Sequence, residues 1–113
     1  MADQFRQVLP ADQLPAGGTA AVTLDDTDIL LCRDGDAVFA LSNRCTHQDS
    51  PLTGGRIRRG AIICPLHGSP FALASGKCLS QQGYAPLGTF AARIEEGWIE
   101  VDATSGTSGG AGR

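Results

Sequence analysis

The chain has 113 residues, 42% of them hydrophobic, with a net charge of −3 and a pI of about 5.1, which suits one small domain with a modest core and leaves little room for two. The acidic balance excludes the basic face of a nucleic-acid binder and is too slight for a disordered acidic chain. No apolar run approaches the ~18 residues that span a bilayer, and Met1–Gln7 carries no signal-peptide pattern; a cytoplasmic protein with no membrane role is expected, in which four cysteines serve more readily as metal ligands or free thiols than as disulfides.

Fifteen glycines and six prolines favour turns and short strands over long helices. In chain order, Phe5–Leu9 reads as a strand stopped by Pro10, Pro15–Gly18 as a turn, and Thr19–Leu24 as a strand with Ala20, Val22 and Leu24 on one face. Ile29–Arg33 and Ala37–Leu41 flank Asp34-Gly35, a hairpin signal. Residues 43–58 have no period and read as loop, and Ala61–Ile63 is a short strand that delivers Cys64. Phe71–Leu73 and Lys77–Leu79 flank Ser75-Gly76 as a second hairpin, and Gln81–Pro86 is loop. A third hairpin joins Thr89–Glu95 to Trp98–Val101 through Glu96-Gly97. Residues 103–113 have little to bury and are expected to be a disordered tail. A single domain over 1–102 follows, a β base interrupted by a loop-rich insert over about 43–84. A rigid frame carrying its chemistry on loops is a common division of labour.

The informative pattern is Cys45-Thr46-His47, sixteen residues, then Cys64-Pro65-Leu66-His67; both histidines of the chain lie in it. Each half offers one thiolate and one imidazole. Two thiolates on one iron and two neutral imidazoles on the other lower the negative charge of a sulfide-bridged pair, so its potential rises above that of an all-cysteine cluster. Gly54, Gly55, Gly60 and Gly68 give the surrounding backbone freedom to fold around such a group. A structural zinc site uses the same donor types, although a single residue between Cys and His is unusual for it.

Cys45-Thr46-His47 and Cys64-Pro65-Leu66-His67-Gly68-Ser69 resemble the Rieske signature residue by residue. The β–insert–β layout resembles the Rieske ferredoxins of bacterial ring-hydroxylating dioxygenase systems. That resemblance implies an all-β Rieske fold, an antiparallel β-sandwich base with a cluster-binding subdomain inserted. It implies one [2Fe–2S] cluster, with Cys45 and Cys64 on one iron and His47 and His67 on the other. It also implies a non-catalytic electron carrier that meets an NAD(P)H-dependent flavin reductase and a terminal aromatic-ring oxygenase transiently; the chain has no room for a flavin domain, a mononuclear iron or a substrate pocket of its own. A small Rieske subunit of a nitrite reductase and a redox-sensing interaction module are the alternatives.

Departures from the high-potential members bear on the redox chemistry. Their extra cysteine pair falls at Ser50 and Leu66, so no bridge forms beside the cluster. Ser69 matches a serine that donates to a cluster sulfur, and it is equally a turn former. Phe71 replaces a tyrosine and has no hydroxyl to give. Fewer donors leave the reduced state less stabilised, which places the potential in the lower part of the Rieske range of about −150 to +300 mV.

The remaining residues have plainer readings. Cys32 and Cys78 are expected as buried thiols, and Trp98 and Phe90 as core. Tyr84 and Pro86 either cover the cluster or cap the base. Pro51, Leu52, Leu66 and Pro70 are expected to form a dry patch around exit ligands His47 and His67. Arg44, Arg56, Arg58 and Arg59 form either an ordinary solvated surface or a basic rim that steers an acidic partner.

Overall fold

The structure, a computed structural model, describes residues 4–24, 26–44, 52–65, 68–80 and 85–107. Nine strands are present among them: β1 (Arg6–Pro10), β2 (Thr19–Leu24), β3 (Thr27–Asp34), β4 (Ala37–Ser42), β5 (Arg56–Arg58), β6 (Ala61–Ile63), β7 (Pro70–Ala72), β8 (Thr89–Glu95) and β9 (Trp98–Thr107). One 3-10 turn, Ala11–Gln13, follows β1. All strand pairs are antiparallel, in a six-stranded sheet of order β1-β9-β8-β4-β3-β2 and a three-stranded sheet of order β5-β6-β7.

The large sheet curls over its own core. Arg33 on β3 donates through its guanidinium to the carbonyls of Ala11 and Leu14 at 3.1 Å each, so the segment after edge strand β1 meets the opposite end of the sheet. Leu24, Ile29, Leu31, Ala40, Ile99 and Val101 fill the interior with Ala11 and Leu14. The β-sandwich base expected from the sequence is this folded sheet.

The continuous apolar run Ile29–Cys32 has a simple cause. Strand side chains alternate in direction, and β3 is covered on both faces: Ile29 and Leu31 point into the base core, while Leu30 and Cys32 join a second core with Leu41, Leu52, Ile62, Cys64, Phe71, Leu73 and Leu87. That second core seats the small sheet on the base. Ile57 packs inward from β5 while Arg56 and Arg58 stay exposed.

Several expectations need correction. Pro10 does not stop the first strand. It is the last residue of β1, paired with Trp98, a position open to proline because β1 is an edge strand. Part of the stretch read as loop, Arg56–Arg58, is β5; three residues are too few to display a period. The hairpin over Phe71–Leu79 is reduced to one bridge, Phe71 to Cys78, beyond β7. The last strand continues past Val101 to Thr107, so 103–107 belong to the sheet and only 108–113 of the expected tail lie outside the described residues. Trp98 is not core. It is 37% exposed, because Ile99 and Val101 take the inward positions of β9. The Glu96-Gly97 turn stands as read, with φ of 51° and 84°, the doubly positive conformation of a tight hairpin turn.

Candidate metal centre

The small sheet ends at the chemistry. β6 leads directly into Cys64, which is 1% exposed. The chain turns there and returns into β7: the Cys64 N–H donates to the Ser69 carbonyl and the Gly68 N–H donates to the Cys64 carbonyl, both at 2.9 Å. Gly68 has φ 76°, a conformation that a side chain disfavours and that this return requires. Cys64 also faces a cleft of about 340 Å³ lined by Gly54, Gly55, Arg56, Ile63, Pro65 and Gly68.

Ser69 is the one polar residue buried among those described, at 7% exposure. Its carbonyl accepts from the Cys64 N–H, but its hydroxyl has no hydrogen-bond partner among the described residues. A buried hydroxyl left without an acceptor costs about 1–3 kcal/mol. A buried thiol donor, a glycine-lined cleft and a hydroxyl lacking an acceptor fit an iron–sulfur group, whose sulfurs accept hydrogen bonds.

Of the predicted site residues, Cys64 and Ser69 come together in this turn. Cys45, His47 and His67 lie outside the described residues, as do Pro51, Leu66 and Tyr84. Among the described residues no three His, Cys, Asp or Glu side chains converge as a second metal site. Cys32 is buried in the core shared with Cys64, and burial pushes its thiol up to about 12; it stays protonated at neutral pH and makes a poor ligand. Cys78 is half-buried rather than buried, with its sulfur 3.1 Å from the Ser80 hydroxyl.

Leu52 does not belong to a surface patch. It is 0% exposed and packs in the second core, just ahead of β5. The most exposed large apolar side chain among the described residues is instead Leu79, at 57%. It flanks a cleft with Pro70, Ile63, Arg58 and Arg59, and its place beyond β7 had no periodic signal to reveal it. Arg44, Arg56, Arg58 and Arg59 are all exposed. Sequence reasoning also passed over Asn43, whose side chain bonds Leu52 and Thr53.

The model of the Rieske [2Fe-2S] domain matches residues 4–91. The chain belongs to the Rieske [2Fe–2S] family. It therefore carries a Rieske-type cluster, and its described strands take the all-β form of that family. The 3-phenylpropionate/cinnamic acid dioxygenase ferredoxin subunit of Photorhabdus laumondii is 32% identical over 95 residues, covering 83% of this chain and 90% of the relative. Among solved structures, the ferredoxin of carbazole 1,9a-dioxygenase from Nocardioides aromaticivorans IC177 is similar with a TM-score of 0.81 and 29% identity, over 88% of this chain and 97% of that one. A chain in a complex of reduced oxygenase and oxidized ferredoxin in carbazole 1,9a-dioxygenase follows, with a TM-score of 0.80 and 27% identity, over 89% of this chain and 94% of that one.

Proposed function

We propose that Cys45 and Cys64 hold one iron and His47 and His67 the other, and that this Rieske protein is a cytoplasmic ferredoxin of an aromatic-ring dioxygenase system. It takes single electrons from an NAD(P)H-dependent flavin reductase and delivers them to the terminal oxygenase, and it oxidises no organic substrate itself. The observation that carries this reading is the Cys64–Ser69 turn, a buried cysteine and a buried hydroxyl with no partner among the described residues, at one end of the two-part motif. The named relatives support the ferredoxin role, and the ferredoxin–oxygenase complex supports an oxygenase partner. A free thiol at Cys32 suits a reducing compartment.

When bound, the cluster supplies a reversible one-electron couple. The chain's own residues set its conditions. The small sheet and the second core keep water from the Cys64 side. The Ser69 hydroxyl would be free of other acceptors among the described residues to donate toward a cluster sulfur, which would favour the electron-rich state. Phe71, fully buried in the same core as Cys64, adds no donor.

Phe71→Tyr therefore tests the register. One added hydrogen bond is worth about 1 kcal/mol, and about 59 mV corresponds to 1.4 kcal/mol for one electron, so redox titration should show a rise of a few tens of mV. A hydroxyl that finds no acceptor would instead lower stability by about 1–3 kcal/mol at unchanged potential, and that result would remove Phe71 from the neighbourhood of the sulfurs.

The electron-carrier role is tested by reconstitution with purified reductase and oxygenase. Substoichiometric protein should support many turnovers of product, with none in its absence; equal product without it would overturn the role. Arg56, Arg58 and Arg59 are exposed and form no ion pair among the described residues, as a steering rim requires. Delivery to the oxygenase should slow as salt rises from about 0.01 to about 1 M, over which the screening length falls from roughly 30 to roughly 3 Å. A flat salt profile would leave these arginines as plain surface.

A further inference from the structure

We infer that Asn43 is a positioning residue for the first half of the ligand set, a clamp at the base of the stretch that carries Cys45 and His47. This rests on the ligand assignment above. The Asn43 side chain makes two hydrogen bonds that span the motif: its Nδ2 donates to Thr53 Oγ1 at 2.8 Å, and its Oδ1 accepts from the Leu52 N–H at 2.8 Å. The residues flanking 45–51, Asn43 on one side and Leu52 and Thr53 on the other, are thus held together.

Both ends of the clamp are anchored. On one side, the Asn43 N–H donates to the Asp28 carbonyl at 3.1 Å and the neighbouring Ser42 N–H to the Gly88 carbonyl at 2.9 Å, fixing the end of β4. On the other, Leu52 is fully buried and its carbonyl accepts from the Gly55 N–H at 2.9 Å. A primary amide suits this position because it offers an acceptor and a donor side by side. Aspartate keeps both links if the Thr53 hydroxyl turns to donate, whereas alanine keeps neither.

Asn43 touches none of the proposed ligands and acts through the chain that holds two of them. The Cys64 turn is tied by its own backbone bonds. The stretch carrying Cys45 and His47 has Asn43 joining its two ends. Loss of the clamp raises the freedom of one thiolate and one imidazole relative to the other pair, while the base core, to which Asn43 contributes no apolar side chain, is unchanged.

The test uses the cluster-loaded protein. Under an excess of ferrous chelator, Asn43→Ala should lose its visible absorbance roughly 30-fold faster than the native protein, two hydrogen bonds' effect at tenfold per 1.4 kcal/mol. Thr53→Val, which removes one of the two, should give roughly fivefold. Asn43→Asp should return to within about threefold of native, since both links persist. The EPR lines of Asn43→Ala should broaden, reporting a spread of ligand geometries that a purely structural role would not produce. Bleaching at the native rate, or an Asn43→Asp variant as fast as Asn43→Ala, would overturn the clamp. If Asn43→Ala does not fold, Thr53→Val decides: native bleaching in that variant overturns the proposal and faster bleaching sustains it. A native protein without a Rieske EPR signal would defeat the ligand assignment itself, and the clamp with it.

Discussion

Cys64→Ala is expected to yield a colourless protein with no Rieske EPR signal and no electron delivery, while Cys32→Ala keeps its full cluster complement. The two cysteines share one core and are both buried, so burial does not distinguish them; their surroundings do. Cys64 follows β6 and opens on the glycine-lined cleft, close to the Ser69 hydroxyl that has no partner among the described residues. Cys32 lies within β3, covered by the small sheet, and its thiol, pushed up to about 12 by burial, stays neutral where a ligand must be a thiolate. Cys32→Ala should lower stability by roughly 1–2 kcal/mol, as for a modest loss of core volume. Iron and sulfide analysis with visible spectra of both variants reads the difference directly. A Cys64→Ala protein with normal iron content would remove that residue from the ligand set.

How much could be read in advance depended on the length of each signal. Thr19–Leu24 and Thr89–Glu95 were legible to the residue, because six or seven residues display their alternation. The Asp34-Gly35 signal found the right hairpin one residue early. The paired ends are Asp34 and Ala37, so the turn is Gly35-Asp36, with Gly35 at φ 63°. Where the sequence misled, a residue's type pointed one way and its register another. Trp98 is large and aromatic, yet period two from Ile99 and Val101 puts it outside. Leu52 sits among loop residues, yet it is a fully buried member of the second core.

At the centre, the motif pointed to Cys64 and Ser69, which a backbone hydrogen bond brings together. The motif could not identify the supports. Asn43 and Gly55 matter through contacts with residues distant in sequence, Thr53 for the first and Ile63 for the second, and one sequence carries no record of such pairings. The charge reading was legible in part: exposed arginines on β5 follow from alternation about Ile57, but the pairing of Arg58 and Arg59 with Leu79 around one cleft needed the fold.

Gly76→Ala is expected to be among the most damaging single-methyl additions in the chain, and a comparison with Gly60→Ala shows why. Both glycines have nearly the same positive φ, 76° and 77°, so both substitutions carry the left-handed backbone penalty of about 1–2 kcal/mol. At Gly60 an added Cβ meets nothing within 4 Å. At Gly76 it would sit 2.2 Å from the Leu87 carbonyl oxygen, a backbone atom that cannot rotate away. That carbonyl belongs to the segment returning to β8, and the Leu87 N–H donates to the Gly76 carbonyl at 2.8 Å. Moving Leu87 aside weakens this bond and pulls a fully buried side chain from the core that seats the small sheet on the base. Overpacking of this kind costs about 1–3 kcal/mol, so the total at Gly76 is roughly 2–5 kcal/mol, against about 1–2 kcal/mol at Gly60. Denaturant unfolding of the two variants measures the excess. Because Leu87 and Cys64 belong to one core, the Gly76 variant should also release iron faster than the Gly60 variant under chelator. Equal losses at the two sites would mean that the insert is not held to the base through Gly76 and Leu87.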